Sequence, residues 1–223
     1  LTEKNRMVFT LMPEVETPKT DAPKAAVSAN VTAQQVIDNY AAALGGKSKL
    51  EAVKTVKTLS TIKVMGMEME ATTLEMAPNK SKAVQKIMGQ EMVQVFDGEK
   101  GYMMQAGQRM DLPAPAIEEA KKKRLFEVLS YNAADFKTVE KVTEEGKELY
   151  LLAGAGKKLY FDTKTNLLVK STSDKGDMVI LDYMEVDGIK FPKNIKLAMM
   201  GQNMEMTNNQ VIVNKEVSAE DFK

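Results

Sequence analysis

Between Tyr150 and Leu197 strand-like runs alternate with tight-turn residues so densely that little except an antiparallel meander can be built from them. The breaks at Asp162-Thr163-Lys164-Thr165-Asn166, at Asp174-Lys175-Gly176 and at Asp187-Gly188 carry Asn, Asp and Gly, which accept positive φ at low cost and so suit hairpin turns. Helical periodicity is scarce throughout this stretch.

The rest of the chain extends the pattern. Residues Met7–Leu11 read as one short strand, and 13–30, with Pro13, Pro18 and Pro23 among Ala, Thr and Lys, as a linker. Thr32-Ala33-Gln34-Gln35 has the form of a capping box. It opens a helix with an apolar stripe of Val36, Ile37, Tyr40, Ala41 and Leu44, which Gly45-Gly46 ends. Residues 47–52 add a turn or two of helix. Strands are expected at Thr58–Val64, Glu68–Met76, Lys82–Ile87, Met92–Phe96 and Gly101–Gln105. A second helix is expected over Pro115–Tyr131, with Glu118–Lys122 and Glu119–Lys123 at i,i+4. Strands then resume from Phe136 to Val213. The expected fold class is α+β: a strongly curved antiparallel half-barrel of about ten or eleven strands, two main helices lying across its concave face.

Composition removes whole classes of chemistry. The 223 residues contain neither histidine nor cysteine, so thiol nucleophiles, thiolate metal sites, disulfides and every histidine-based triad are excluded from this stretch of chain. No metal or cofactor is expected. Thirty-one basic residues balance thirty-one acidic ones, which leaves no electrostatic footprint for nucleic acid. No window approaches the roughly 18 apolar residues of a transmembrane span. Gly154-Ala155-Gly156-Lys157-Lys158 departs from a phosphate loop, which needs a glycine where Leu151 stands and Ser or Thr where Lys158 stands, and it reads as a hairpin turn. Lys121-Lys122-Lys123-Arg124, preceded by Glu118 and Glu119, reads as a solvated helix face. Carboxylate pairs such as Glu68/Glu70 show no sign of the burial that acid catalysis needs. Ser130, Ser171 and Ser173 lie in no Gly-x-Ser-x-Gly elbow. The chain is not expected to be an enzyme.

Methionine is abundant, at 17 residues, and clusters at Met65-Gly66-Met67-Glu68-Met69, Met88-Gly89-Gln90-Glu91-Met92 and Met200-Gly201-Gln202-Asn203-Met204. Each cluster falls where two strands should turn. The plain reading is a two-residue turn of type II′ with glycine first, flanked by flexible side chains that fill irregular space. Two others stay open: a pliable apolar rim for a lipid tail or hydrophobic peptide, and a thioether site for Cu(I).

The helix ending in Ala43-Leu44-Gly45-Gly46, with Leu50-Glu51-Ala52-Val53-Lys54-Thr55-Val56-Lys57 after it, resembles the opening of periplasmic outer-membrane lipoprotein-sorting proteins of the LolA/LolB-like type. Val95-Phe96-Asp97-Gly98, Tyr160–Leu168 and Asp182–Pro192 resemble hairpins of the same superfamily, so the likeness spans about residues 31–222. It implies a half-barrel with an apolar cavity between sheet and helices, and a periplasmic or envelope location in a Gram-negative bacterium. The opening residues Leu1–Glu14 are similar to a segment near the end of a unit of insulinase/pitrilysin-type zinc peptidases. Their His-x-x-Glu-His motif has no counterpart in a chain without histidine, so no zinc and no proteolysis carry over.

These resemblances imply a three-part organisation: 1–12 as the trailing strand of an upstream peptidase-like unit in the same polypeptide, 13–30 as linker, and 31–223 as the lipoprotein-sorting-like domain. The expected function is a non-catalytic module binding an acyl chain, hydrophobic peptide or envelope partner. A free-standing carrier of lipidated clients and a structural interaction domain with a filled core are the alternatives. Strand alternation nominates Ile62, Val64, Val95, Leu151, Phe161, Val169, Leu181 and Leu197 as cavity lining, faced by Val36, Tyr40, Leu44, Leu125 and Leu129 from the helices.

Overall fold

A computed structural model describes residues 27–28, 30–87, 89–199 and 201–223. The strand expected at Met7–Leu11 and the peptidase-like opening segment lie outside the described residues. In chain order the elements are β1 (Val27–Ser28), α1 (Ala33–Leu44), α2 (Lys47–Ala52), β2 (Thr55–Val64), β3 (Met67–Met76), β4 (Lys80–Ile87), β5 (Gln90–Phe96), β6 (Gly101–Gln105) and β7 (Gln108–Asp111). Helix α3 (Ala114–Lys122) and two 3-10 turns (Glu127–Ser130, Ala133–Asp135) precede β8 (Thr138–Glu144), β9 (Lys147–Gly154), β10 (Lys157–Asp162), β11 (Leu168–Ser173), β12 (Gly176–Val186), β13 (Ile189–Met199) and β14 (Gln202–Val213). A last 3-10 turn covers Ala219–Phe222.

All the strands form one open antiparallel sheet, ordered β1-β8-β9-β10-β11-β12-β13-β14-β2-β3-β4-β5-β6-β7. The expected α+β half-barrel is the fold observed. Among the described residues it holds 14 strands, because Val27–Ser28 pairs with β8 inside the stretch read as linker, and because Gln108–Asp111 pairs with β6 despite a polar sequence without alternation. The two halves of the chain meet where β14 pairs with β2, Met204 opposite Val64 and Met206 opposite Ile62.

Helix α1 forms for the reasons legible in its sequence. The Thr32 hydroxyl accepts from the Gln35 amide at 3.2 Å, and the Gln35 side chain accepts from the Thr32 amide at 2.8 Å, which satisfies two orphan donors at once. Its stripe, Val36, Ile37, Tyr40, Ala41 and Leu44, is buried against Leu152, Leu159, Phe161, Ile180, Ile189 and Phe191. The rings of Tyr40 and Phe161 meet at 5.2 Å in a tilted pair. Gly45 ends the helix at φ 133°, and a Cβ there would lie 2.5 Å from the Gly188 carbonyl oxygen, so both the backbone angle and the close approach demand glycine.

Two expectations need correction. The first is the continuous helix over Pro115–Tyr131. Lys123 takes an extended backbone (φ −64°, ψ 149°) and Phe126 another (φ −116°, ψ 119°), so α3 ends at Lys122 and a separate 3-10 turn follows. The reason lies in Phe126 and Val128, both buried in the core. Two places apart on an α-helix they would point to nearly opposite sides, whereas the broken backbone sends both inward. The ion pairs change accordingly: Glu118 meets Lys121, and Glu119 meets Lys175 of the β11–β12 turn.

The second correction concerns the Met-Gly turns. At Met65-Gly66 both residues have positive φ, 51° and 77°, which is a type I′ turn with glycine second. Gly89 and Gly201 likewise hold positive φ in second place, 81° and 75°, which excludes type II′ there as well.

Candidate apolar binding site

Cross-strand partners share a face of a sheet, and alternate residues along a strand lie on opposite faces. The pairing register therefore sorts every strand residue. Ile180, Ile195, Met206, Ile62 and Met69 form one continuous rung across β12, β13, β14, β2 and β3. Met178, Leu197, Met204, Val64 and Met67 form the next rung toward the hairpin tips. Ile180 belongs to the core beneath α1 and Met178 packs against it, so both rungs lie on the concave, helix-bearing face.

Burial falls away along this floor. Ile180 and Ile195 are buried, Ile62, Val64, Met69, Leu197, Met204 and Met206 are half-buried, and Met67 is 45% exposed. None of these last seven belongs to the cluster packed around α1. Further out, on β4–β7, the same face mixes Met92, Met103 and Met110 with Gln85, Gln94, Gln105 and Gln108. The result is an apolar trough floored by unbranched and aliphatic side chains and flanked by neutral amides.

Helix α3 straps this trough. Its Lys121 carbonyl accepts from the Asn79 side chain in the β3–β4 turn at 3.3 Å, while Glu119 pairs with Lys175 in the β11–β12 turn. Those turns belong to different arms of the half-barrel and to opposite ends of its strands, so the helix crosses the concave side. It buries none of its own residues; Ala116, Ile117 and Ala120 are half-buried.

The three Met-rich hairpins come together along one rim. The β13–β14, β2–β3 and β4–β5 turns are successive in sheet order and lie at the same end of the strands. Met65 at the rim is 78% exposed and Met199 is 39% exposed.

The nominated lining residues divide into four groups. Val36, Tyr40, Leu44 and Phe161 meet in the closed core, with Leu125 and Leu129 packed against it. Ile62, Val64 and Leu197 lie on the trough floor. Leu151 and Val169 sit on the opposite face, in a small cluster with Val142, Leu149 and Tyr160. Val95 is also on that opposite face, because it pairs with Lys82 and Tyr102; it is buried and shares a cavity of about 600 Å³ with Tyr102, Leu112 and Phe222. Leu181 falls in a bulge between Ile180 and Asp182 and is 57% exposed. The floor methionines Met67, Met69, Met178, Met204 and Met206 were missed as lining. Their even spacing along each strand carries the signal, but only the β14–β2 register unites them.

A cluster of phenols lies under α1. Burial pushes the Tyr40 hydroxyl up to about 12, against a hydrogen bond with Tyr183 that works the other way. Burial likewise raises Tyr183, whose hydroxyl donates to the Leu168 carbonyl at 2.7 Å. Tyr131 is raised by burial and by the neighbouring Glu127 carboxylate, and its hydroxyl has no hydrogen-bond partner among the described residues. All three are neutral at physiological pH, so the interior remains uncharged. On the concave face, desolvation raises Glu75, while Lys123 pulls it down.

No family model matches this sequence, and no curated protein does. Among solved structures the chain is similar to a DUF1329 family protein from Desulfovibrio piger, with a TM-score of 0.55 at 8% identity over 86% of this chain and 97% of that one. It is similar to the same degree, TM-score 0.55, to a putative outer membrane lipoprotein-sorting protein domain from Vibrio parahaemolyticus, at 10% identity over 86% of this chain and 97% of that one. At such identities the likeness is one of fold. The chain shares its fold with these two proteins. Among the described residues no helix is long and apolar enough to cross a membrane.

Proposed function

We propose that this chain is a non-catalytic module that holds an acyl chain on the trough floor beneath α3, in the periplasm of a Gram-negative bacterium. One observation carries the reading: two adjacent five-residue rungs, wholly aliphatic or methionine, lie on the concave face, and seven of their ten residues, from Leu197 on β13 across β14 and β2 to β3, stand outside the cluster packed around α1 without being buried. A closed structural domain would have filled that face from above. The fold shared with a lipoprotein-sorting domain supports the same ligand class. Affinity would come from burying apolar surface at about 25 cal/mol per Å², less the cost of ordering ligand and side chains. Methionine suits this task because its unbranched, polarizable side chain adapts to acyl chains of different shape.

The parent protein belongs to the same proposal. The similarity of Leu1–Glu14 to the end of a peptidase unit supports a module that follows such a unit in a longer polypeptide.

Protein produced in its own envelope, purified and extracted with organic solvent, should release acyl lipid detectable by mass spectrometry. A lipid-free extract, together with no binding of the fluorescent fatty acid cis-parinaric acid, would sink the ligand reading. An immunoblot of fresh cells tests the parent independently. A band well above the mass of 223 residues supports the appended module, and a band near that mass favours a free-standing carrier.

A further inference from the structure

Methionine is distributed in this molecule in an unusual way. Among the described residues the buried core contains Leu, Val, Ile, Phe, Tyr and Ala but no methionine. Five of the six exposed large hydrophobic side chains among these described residues are methionines: Met65, Met67, Met104, Met110 and Met199, with Leu181 the sixth. The register places Met67 and Met110 on the concave face, and Met199 shares it by alternation with Leu197. Met65 forms the turn beside Met67, and Met104 lies on the convex face opposite Val93. Among the described residues, the side chains most open to a soluble oxidant are thus concentrated at the rim and outer edge of the trough, and no methionine is fully buried in the core.

We propose that Met65, Met67, Met110 and Met199 form an oxidation-sensitive rim, whose conversion to sulfoxide by a peroxide releases apolar ligand while the fold stays intact. This rests on the acyl-binding reading above. In the chemical step a thioether sulfur lone pair attacks one oxygen of hydrogen peroxide. An S–O bond forms as the O–O bond breaks, proton transfer gives water as leaving group, and sulfur loses the two electrons that peroxide gains. The product carries a strong, hydrated S–O dipole where an apolar surface stood, and burying it against an acyl chain costs the ligand its affinity. Leucine or isoleucine at the same positions would give comparable burial without this sensitivity. A reductase supplied with two thiols reverses the step by taking the oxygen as water and forming a disulfide.

The test uses the 223-residue chain and cis-parinaric acid. Graded hydrogen peroxide is applied, the oxidised positions are mapped by peptide mass spectrometry, and binding is read by fluorescence beside far-UV circular dichroism and the urea midpoint. The four rim residues should oxidise ahead of Met69, Met178, Met204 and Met206, and affinity should fall by about tenfold or more at an unchanged urea midpoint. Methionine sulfoxide reductase with a dithiol should restore binding. A variant carrying Met65→Leu, Met67→Leu, Met110→Leu and Met199→Leu should keep its own starting affinity, measured before treatment, through the same exposure to peroxide. Met104→Leu should give no protection. Binding that survives rim oxidation, loss that appears only with unfolding, or equal loss in the four-leucine variant would each overturn the oxidation-sensitive rim alone. Failure of the untreated protein to bind the probe is a different result, which defeats the acyl-binding reading and this inference with it.

Discussion

The two arms of the half-barrel use the same strand alternation for different ends. In the arm from β8 to β13, α1 lies directly on the sheet, and the facing residues Leu152, Leu159 and Phe161 are essentially inaccessible. In the arm from β14 through β3 the concave residues toward the hairpin tips are also apolar, yet Val64, Ile62 and Met204 are only half-buried and Met67 faces solvent. Aromatic and branched side chains fill the space beneath α1, whereas Met67, Met69, Met204 and Met206 stand with Ile62 and Val64 toward the tips of the second arm. A covered surface rewards rigid shapes that fit one neighbour, and an uncovered one rewards side chains that can fit several.

The largest effect expected from this contrast is on stability. Phe161→Ala should cost about 3–5 kcal/mol in urea unfolding, since it removes a ring packed at a tilt against Tyr40 and leaves a cavity beneath α1. Met67→Ala should cost less than about 1 kcal/mol. Comparable losses at the two sites would erase the distinction between the arms.

Alkali should find the covered arm next. Tyr40 titrates near 12 when folded and near 10 when unfolded. Its folded value is raised, so between those limits the unfolded chain gives up a proton that the folded chain keeps, and stability falls as pH rises. Tyr40 alone accounts for about 2–3 kcal/mol of loss by pH 12, with Tyr183 and Tyr131 shifted in the same direction. Urea midpoints that stay flat from pH 9 to about 11.5 would contradict this burial.

The covered arm was also the easier one to read from sequence. The capping box at Thr32, the stripe of α1 and the hairpins at Asn166, Gly176 and Gly188 are local signals, and local physics decided them. Facing was harder. Leu149-Tyr150-Leu151-Leu152 is apolar on both sides, so alternation there does not say that Leu151 turns outward while Leu152 turns in. Leu181 was misplaced because a bulge resets the alternation, and Val95 because Phe222, far away in sequence, covers part of the convex face. The Met-rich hairpins were visible one by one, but their union depends on β14 pairing with β2 across some 140 residues of chain, which no local pattern encodes.

Binding should report on the open arm with a smaller energy than either test of stability. Ile62→Glu places a carboxylate in the middle of the floor, next to Met206 and Met69. Cis-parinaric acid affinity should drop about tenfold, or about 1.4 kcal/mol. The matched change Leu151→Glu, on the opposite face, should leave binding as it was. Equal losses from the two substitutions would show that the ligand does not use the concave floor.

Glu75 offers the smallest and most local test, because it is a carboxylate on the concave face where the open arm runs toward the core. It stands opposite Val56 and Ser81, half-buried, and desolvation raises its proton affinity although Lys123 pulls the other way. A raised folded value has a definite sign. As pH rises through the ordinary glutamate range, the unfolded chain ionises first, and folding stability contributed by this group is lost rather than gained. At neutral pH the ionised side chain is a burden, so Glu75→Gln should stabilise the protein by less than about 1 kcal/mol and flatten the decline that sets in as pH rises above the ordinary glutamate range. If the substitution destabilises instead, the attraction of Lys123 outweighs desolvation. The junction between α3 and the open arm would then be held by an ion pair rather than merely crossed by a strap.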